Sequence, residues 1–142
     1  MKESLAGYLI PCASQILETM FFTGVVSAVE QDSRPVAFPK SVCFQGPPDG
    51  KLCVCMQPEA IQALAAGFLG VEPAEVTAAQ CEQVTGELAN MICGSVLSRC
   101  APHSFFHLEV QPAGICQEEC DTRILVEMPE GLMSLCAHVD RL

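Results

Sequence analysis

Apolar side chains recur every three to four positions over three stretches of the chain, which is the spacing of one face of an α-helix. The pattern predicts helices over residues 4–22, 58–69 and 78–100. Pro11 lies inside the first stretch, and we expect it either to bend that helix or to delay its true start. Pro58 begins the second helix, Gly70 ends it, and Pro102 lies just beyond the third.

Five shorter stretches have the composition and the alternation of β-strands. They predict strands over residues 36–45, 51–56, 105–111, 123–128 and 132–138. The turn sequence QGPPDG separates the first two strands and PEG separates the last two, so each pair should form a hairpin. Residues 71–80 connect the second and third helices. Because hairpins dominate this order, the predicted fold class is α+β, an antiparallel sheet backed by helices in a single domain over residues 1–142.

Composition and charge exclude several classes of protein. Hydrophobic residues make up 50% of the 142 residues and charged residues 17%, so the chain is not of the disordered type. The 17 acids outnumber the 7 scattered bases, which leaves a net charge of -10 and no basic patch for nucleic acid or an anionic membrane. No apolar run is long enough to span a bilayer, and Glu3 lies where a secretion signal needs positive charge. We therefore expect a cytoplasmic protein that binds neither nucleic acid nor membrane.

Cysteines are unusually frequent in this chain. The ten cysteines stand at positions 12, 43, 53, 55, 81, 93, 100, 116, 120 and 136. In a small secreted protein such a count indicates disulfides. Most of these positions are apolar positions of predicted helices and strands, so we interpret the cysteines as buried, reduced and equivalent to small hydrophobic residues. Cys116 and Cys120, with histidines at 103, 107 and 138, suggest a metal only weakly, because their spacing has no second matching pair.

One edge of the third helix is polar but almost free of charge. At about 100° per residue, one narrow sector of this helix holds Gln80, Gln83, Glu87, Asn90, Gly94 and Ser98. The opposite sector holds Cys81, Val84, Leu88, Ile92 and Val96. A solvated face would ordinarily carry several bases, whereas the first base here is Arg99. Asn90 is the only asparagine, and Gly94 leaves a gap that suits the close approach of another molecule. The alternative is a chance Glu-x-x-Asn pair on a water-exposed surface.

The sequence TGELANMICG, residues 85–94, resembles the long-helix motif of the CheX and CheC chemotaxis phosphatases, approximately Gly-Glu-Leu-x-Asn-Met-x-x-Gly. The matching residues are Gly86, Glu87, Leu88, Asn90, Met91 and Gly94. The motif is present once, as in the CheX branch, and not twice as in the CheC branch. The order of the surrounding elements is also similar, so the resemblance covers most of the chain and implies a CheC-like fold.

The resemblance implies a phosphatase that acts on the aspartyl phosphate of a CheY-type response-regulator receiver. Glu87 and Asn90 are the expected catalytic pair: the acid would bind the receiver's lysine, and the amide would point at the phosphate and orient water. The residues expected to contact the receiver are Gln83, Gly86, Gly94 and Ser98. The receiver would supply Mg²⁺, so we expect no metal or cofactor of the chain's own. The resemblance, with strand edges that need cover, also implies a homodimer.

Two other functions stay open at this point. The fold would also serve as a non-catalytic domain that binds or scaffolds a receiver, and the cysteines would suit a redox or metal sensor. The intact pair of Glu87 and Asn90 favours the phosphatase over the scaffold. No glycine-rich phosphate loop or recognisable Ser/His/Asp set indicates a different enzyme.

Overall fold

The computed structural model describes residues 2–30, 38–46, 49–111 and 120–140. The helices in these ranges are α1 (Lys2–Met20), α2 (Pro58–Leu69) and α3 (Ala78–Cys100), with a short 3₁₀ helix at Pro73–Glu75. The strands are β1 (Ser27–Glu30), β2 (Lys40–Gln45), β3 (Gly50–Met56), β4 (His107–Gln111), β5 (Thr122–Met128) and β6 (Gly131–Val139). The predicted α+β class is confirmed.

All six strands form one antiparallel sheet in the order β1-β5-β6-β3-β2-β4. The two predicted hairpins, β2 with β3 and β5 with β6, are both confirmed. Gly131 begins β6 with φ of 143°, a conformation that residues with a side chain rarely adopt. A Cβ at this position would also lie only 2.9 Å from Oε1 of Gln57. The turn therefore requires glycine where β6 passes the start of α2.

The two faces of the sheet have different surroundings. One face, here called the helix face, contributes to the main core the buried residues Val42, Phe44, Leu52, Val54, Ile124, Val126, Met133 and Leu135. The helices contribute to the same core Leu9, Leu17, Ile61, Leu64, Val84, Leu88 and Ile92. All three helices therefore pack on the helix face. The alternate residues form the opposite, outer face, where Cys53 and Cys136 make a separate small cluster.

Local signals explain where α2 and α3 begin and end. Pro58 opens α2, and Gly70 ends it in the left-handed conformation, as predicted. Thr77 caps α3 in a reciprocal arrangement. Its hydroxyl accepts a hydrogen bond from the backbone N–H of Gln80, and the side-chain oxygen of Gln80 accepts one from the backbone N–H of Thr77. This capping box satisfies two amide groups that the first turn of a helix leaves without partners.

Strand β1 corrects the predicted order of elements, which contained five strands and not six. The strand has only four residues, and three of them are exposed. Such a short edge strand has no distinctive pattern of its own, and it is a strand because Ser27–Glu30 pairs with β5, about 100 residues further along the chain. Sequence periodicity depends on neighbouring residues, so it cannot predict pairing with a strand that is so distant in the chain.

Several other boundaries also differ from the prediction, and α1 ends at Met20 and not at residue 22. Helix α1 continues on both sides of Pro11, so the proline does not delay the start of the helix. Strand β4 begins at His107 and not at residue 105, because its partner strand β2 ends at Gln45, the residue opposite His107. Strand β2 begins at Lys40, so residues 38 and 39 of the predicted strand precede it. Residues 36 and 37 and the prolines of the QGPPDG turn lie outside the described residues.

The cysteines follow the prediction in most places and depart from it in one. The buried ones among the described residues are Cys12, Cys53, Cys81, Cys93 and Cys136, and seven described cysteines carry no disulfide. The prediction of reduced cysteines is wrong for Cys120 and Cys136, which form a disulfide with their Cα atoms 5.7 Å apart. The pairing of two cysteines depends on the hairpin register and not on their spacing in sequence. Cys116 lies outside the described residues.

Candidate functional site

Helix α3 lies in the middle of the helix layer and provides a rigid support for its polar edge. It contacts α1, α2 and the strands β2, β3 and β4. Its apolar sector is buried as predicted, and the buried residues include Cys81, Val84, Leu88, Ile92 and Val96. Thr85 is also fully buried, and its hydroxyl donates a 2.8 Å hydrogen bond to the Cys81 carbonyl. The helix is thus fixed on one side, and the opposite side is available for contact with another molecule.

Glu87 and Asn90 project from this opposite side of α3. The Glu87 side chain is exposed, and Asn90 is half-buried. Residues three apart on a helix have Cβ atoms about 5–6 Å apart, so the carboxylate and the amide act at neighbouring points. Within the described part of the chain, neither side chain has a hydrogen-bond or ion-pair partner. A carboxylate and an amide therefore lie side by side on the surface of α3.

The charge around this edge is set by acids. Glu82 is the other exposed acid of α3, and Arg99 is the only base of the helix. The guanidinium of Arg99 donates a hydrogen bond to the side-chain oxygen of Gln15 on α1, so this base is engaged within the chain. Gln80, which the periodicity placed on the edge, is likewise engaged in the capping box. The usable edge therefore begins at Gln83 and carries one acid, Glu87.

An open groove of about 210 Å³ continues the edge beyond the middle of α3. Gly94 and Ser98 line one side of it, and Phe105 and Leu108 line the other. Phe105 is 95% exposed, which is exceptional for a large apolar side chain. The sequence pattern predicted Phe105 only as a strand residue. Its place beside the groove could have been predicted from its position, because it is an aromatic residue three positions after Pro102 and so lies close to the end of the polar edge of α3.

Comparison with known proteins identifies the family to which this chain belongs. The family model described as chemotaxis phosphatase CheX matches residues 41–137, which is more than half of the chain and includes α3 with its polar edge. The chain belongs to the CheX family. No curated protein sequence matches it.

Solved CheX structures share the fold at low sequence identity. Chemotaxis protein CheX from Vibrio vulnificus superposes with a TM-score of 0.78 at 12% identity, over 99% of both chains. CheX from Desulfovibrio desulfuricans has a TM-score of 0.75 at 14% identity, over 96% of this chain and 99% of the other. The CheX of a CheX-CheY-BeF₃-Mg²⁺ complex from Borrelia burgdorferi has a TM-score of 0.71 at 12% identity, over 95% and 97% of the chains.

The other residues predicted for the site, Gln83, Gly86, Gly94 and Ser98, divide between the exposed edge and the interior. Gln83 and Ser98 are exposed, and Gly94 is half-buried with open space where its side chain would be, so these three lie along the edge with Glu87 and Asn90. Gly86 does not. It is buried, and a Cβ there would lie 3.3 Å from Cγ1 of Val110 on β4. In this structure Gly86 allows β4 to approach α3.

Two of the residues considered as metal ligands, His138 and Cys120, make other contacts. His138 lies between two aspartates, with Nδ1 3.3 Å from Oδ2 of Asp121 and Nε2 3.0 Å from Oδ1 of Asp140. Cys120 is in the disulfide with Cys136. Among the described residues, no group of three or more His, Cys, Asp or Glu side chains is arranged to hold a metal ion. Over the same residues, no helix has the length and apolar character that crossing a bilayer requires.

Proposed function

We propose that this CheX-family protein removes the phosphoryl group from the aspartyl phosphate of a CheY-type response-regulator receiver. The observation that carries the proposal is the presentation of Glu87 and Asn90 on one edge of α3, without partners among the described residues. The opposite side of the helix is fixed in the core, which keeps the two groups in a constant relation to each other. Hydrolysis of a phosphoryl group depends mainly on such positioning.

Asn90 is assigned to the attacking water. Water attacks the phosphorus atom in line with the aspartyl oxygen, the P–O bond to that oxygen breaks, and phosphate and a free aspartate carboxylate are formed. The Asn90 amide has an acceptor oxygen and two donor hydrogens, so it can orient a water without bringing negative charge near the phosphate. A carboxylate in the same place would be repelled by the phosphate.

Glu87 is assigned to docking. Its exposed carboxylate would accept a charge-assisted hydrogen bond from a lysine of the receiver. Gln83, Gly94 and Ser98 would form the contact surface on either side. The CheX relative solved together with CheY, BeF₃ and Mg²⁺ supports a receiver as the partner. In this proposal the receiver supplies the Mg²⁺ and the chain contributes no metal.

Replacing Asn90 tests the catalytic assignment. We expect Asn90→Ala to abolish release of phosphate from a phosphorylated CheY-type receiver while leaving the dissociation constant of the complex nearly unchanged. Asn90→Asp keeps the shape but adds a negative charge, so it should lose both hydrolysis and affinity. Phosphate release and affinity are measured on the same preparations, with the melting temperature as the folding control.

Each result has a definite meaning. Wild-type activity in Asn90→Ala would overturn the mechanism, and unfolding of this variant would make Asn90 a structural residue. A wild-type protein that binds the phosphorylated receiver without releasing phosphate would be the non-catalytic scaffold considered above.

We also propose that the protein is a cytoplasmic homodimer. The proposal rests on the family and on the sheet, in which β1 and β4 each have one neighbouring strand among the described residues and so form its edges. Edge strands have unpaired backbone N–H and C=O groups, and proteins usually cover or otherwise protect them. Light scattering at micromolar concentration should give about twice the chain mass of 15.2 kDa. A mass of one chain at that concentration would contradict the dimer. The location follows from the proposed partner.

A further inference from the structure

The outer face of the sheet carries a group of sulfur atoms that the proposed phosphatase function does not use. Cys120, just before β5, is joined by a disulfide to Cys136 on β6. Cys53 on β3 lies directly opposite Cys136 in the strand register. Cys53 and Cys136 are 3% and 5% exposed and form a cluster of their own, against which the half-buried Cys120 packs. Three sulfur-bearing side chains therefore meet in one place.

A buried cation lies on the other side of Cys136. Arg123 on β5 is directly opposite Cys136 in the register, and it is 8% exposed. Its Nη2 lies 3.9 Å from the Cys136 sulfur. A guanidinium next to a sulfur stabilises the thiolate that forms when a disulfide opens. Cys136 thus has a thiol-bearing residue on one neighbouring strand and a cation on the other.

We propose that these residues form a thiol–disulfide exchange site in which Cys136 is joined either to Cys120 or to Cys53. In the internal step, the Cys53 thiolate attacks the Cys136 sulfur, a Cys53–Cys136 bond forms, and Cys120 leaves as a thiolate that takes up a proton. The step exchanges one disulfide for another and needs no oxidant. An external dithiol instead attacks the more accessible Cys120 sulfur, expels the Cys136 thiolate beside Arg123, and is itself oxidised as both cysteines become thiols.

The register gives the second disulfide a suitable geometry. Residues directly opposite each other in an antiparallel pair have Cα atoms about 4.5–5.5 Å apart, which lies within the range of disulfides. Cys55 is on the same face of β3 but lies opposite Ser134, so the register does not bring it to Cys136. It is therefore the natural control.

The site is independent of the proposed phosphatase edge. Helix α3 packs on the helix face of the sheet, and the sulfur cluster is on the outer face. The exchange proposal therefore stands or falls without reference to receiver dephosphorylation.

Mapping of disulfides in the full chain tests the proposal. Wild type, Cys120→Ser and Cys55→Ser are equilibrated in buffers of graded reduced and oxidised glutathione, trapped with acid and alkylating agent, and analysed by tandem mass spectrometry. In Cys120→Ser we expect a Cys53–Cys136 disulfide in at least half of the molecules under oxidising conditions, with two glutathione molecules released for each disulfide formed. Wild type and Cys55→Ser should both show Cys120–Cys136 together with a smaller share of Cys53–Cys136.

Other outcomes would overturn the proposal. One is the absence of the Cys53–Cys136 linkage from both wild type and Cys120→Ser. If the variant does not fold, the absence of this linkage from wild type alone overturns the proposal. Another is pairing of Cys136 in Cys120→Ser mainly with a different cysteine. A third is stoichiometric zinc in protein purified without oxygen, because these thiols would then be metal ligands.

Discussion

Glu87 and Asn90 have different surroundings, and this difference separates their proposed roles. Glu87 is exposed and charged, so a partner that pairs with it gains a charge-assisted contact. Asn90 is neutral and half-buried, and it adds little to affinity. A polar side chain at the protein surface that has no partner among the described residues also contributes little to folding. Replacing either residue should therefore affect function and not stability.

For Glu87→Ala we expect weaker binding of the receiver and slower dephosphorylation at low receiver concentration. The loss of one charge-assisted hydrogen bond corresponds to about 1.5–3 kcal/mol, or roughly 10- to 150-fold in affinity. Glu82→Ala is the matched control, because it removes the same charge from the same helix at about 140° around the axis from Glu87. Titration calorimetry compares the two variants. Equal losses would show that general charge, and not the edge, decides binding.

Helix α3 contains two glycines of the motif, Gly86 and Gly94, and the space around them differs. Gly94 has nothing within 4 Å of the place where a Cβ would be, whereas at Gly86 that place is 3.3 Å from Val110. Glycine inside a helix costs about 0.5–1 kcal/mol relative to alanine. Gly94 thus lowers stability without an internal reason, which is consistent with a surface kept open for a partner.

The two alanine variants should consequently differ in the free energy of unfolding. We expect Gly94→Ala to be more stable than wild type by about 0.5–1 kcal/mol. Gly86→Ala should gain less, or lose stability, because the new methyl group pushes against β4. Urea denaturation of both variants checks this order. A larger gain from Gly86→Ala would show that β4 yields at no cost and that the glycine is not needed for packing.

Across the protein as a whole, stability is connected to pH through buried thiols. Burial, followed by the nearby Cys43, raises the pKa of Cys93 from 9.0 to about 12. Burial also raises the pKa of Cys81, and burial with Cys12 raises that of Cys100. Each of these thiols keeps its proton in the folded protein at pH values where it loses it in the unfolded chain. The folded state is therefore disfavoured as the pH rises above about 9.

We expect the stability of wild type to be insensitive to Cys93 below pH 9 and to fall from there towards pH 12. One such thiol lowers the free energy of unfolding at pH 10 by about 1.4 kcal/mol relative to pH 7. Cys93→Ala removes this contribution, so its stability should decline less between these two pH values, whatever its absolute stability. Urea midpoints at pH 7 and 10 provide the comparison. Parallel declines would mean that Cys93 ionises in the folded protein.

Features that depend on near neighbours in sequence were predictable. The buried and exposed sides of α3, the Gly70 end of α2 and the two hairpins follow from side chains within a few residues of one another. A helix repeats every 3.6 residues, so local periodicity was also sufficient to place Glu87 and Asn90 on one edge. The family motif added their chemical assignment, which stays a prediction.

Features that depend on residues far apart in the chain were decided only by the tertiary structure. Strand β1 exists through its pairing with β5, and Gly86 is interior because Val110 lies against it. Cys53 and Cys136 meet because β3 and β6 are neighbours in the sheet. These contacts join segments that only the complete sheet brings together, and a one-residue change of register would move every side chain to the other face. No local pattern encodes such a register, so the thiol cluster became apparent only in the folded molecule.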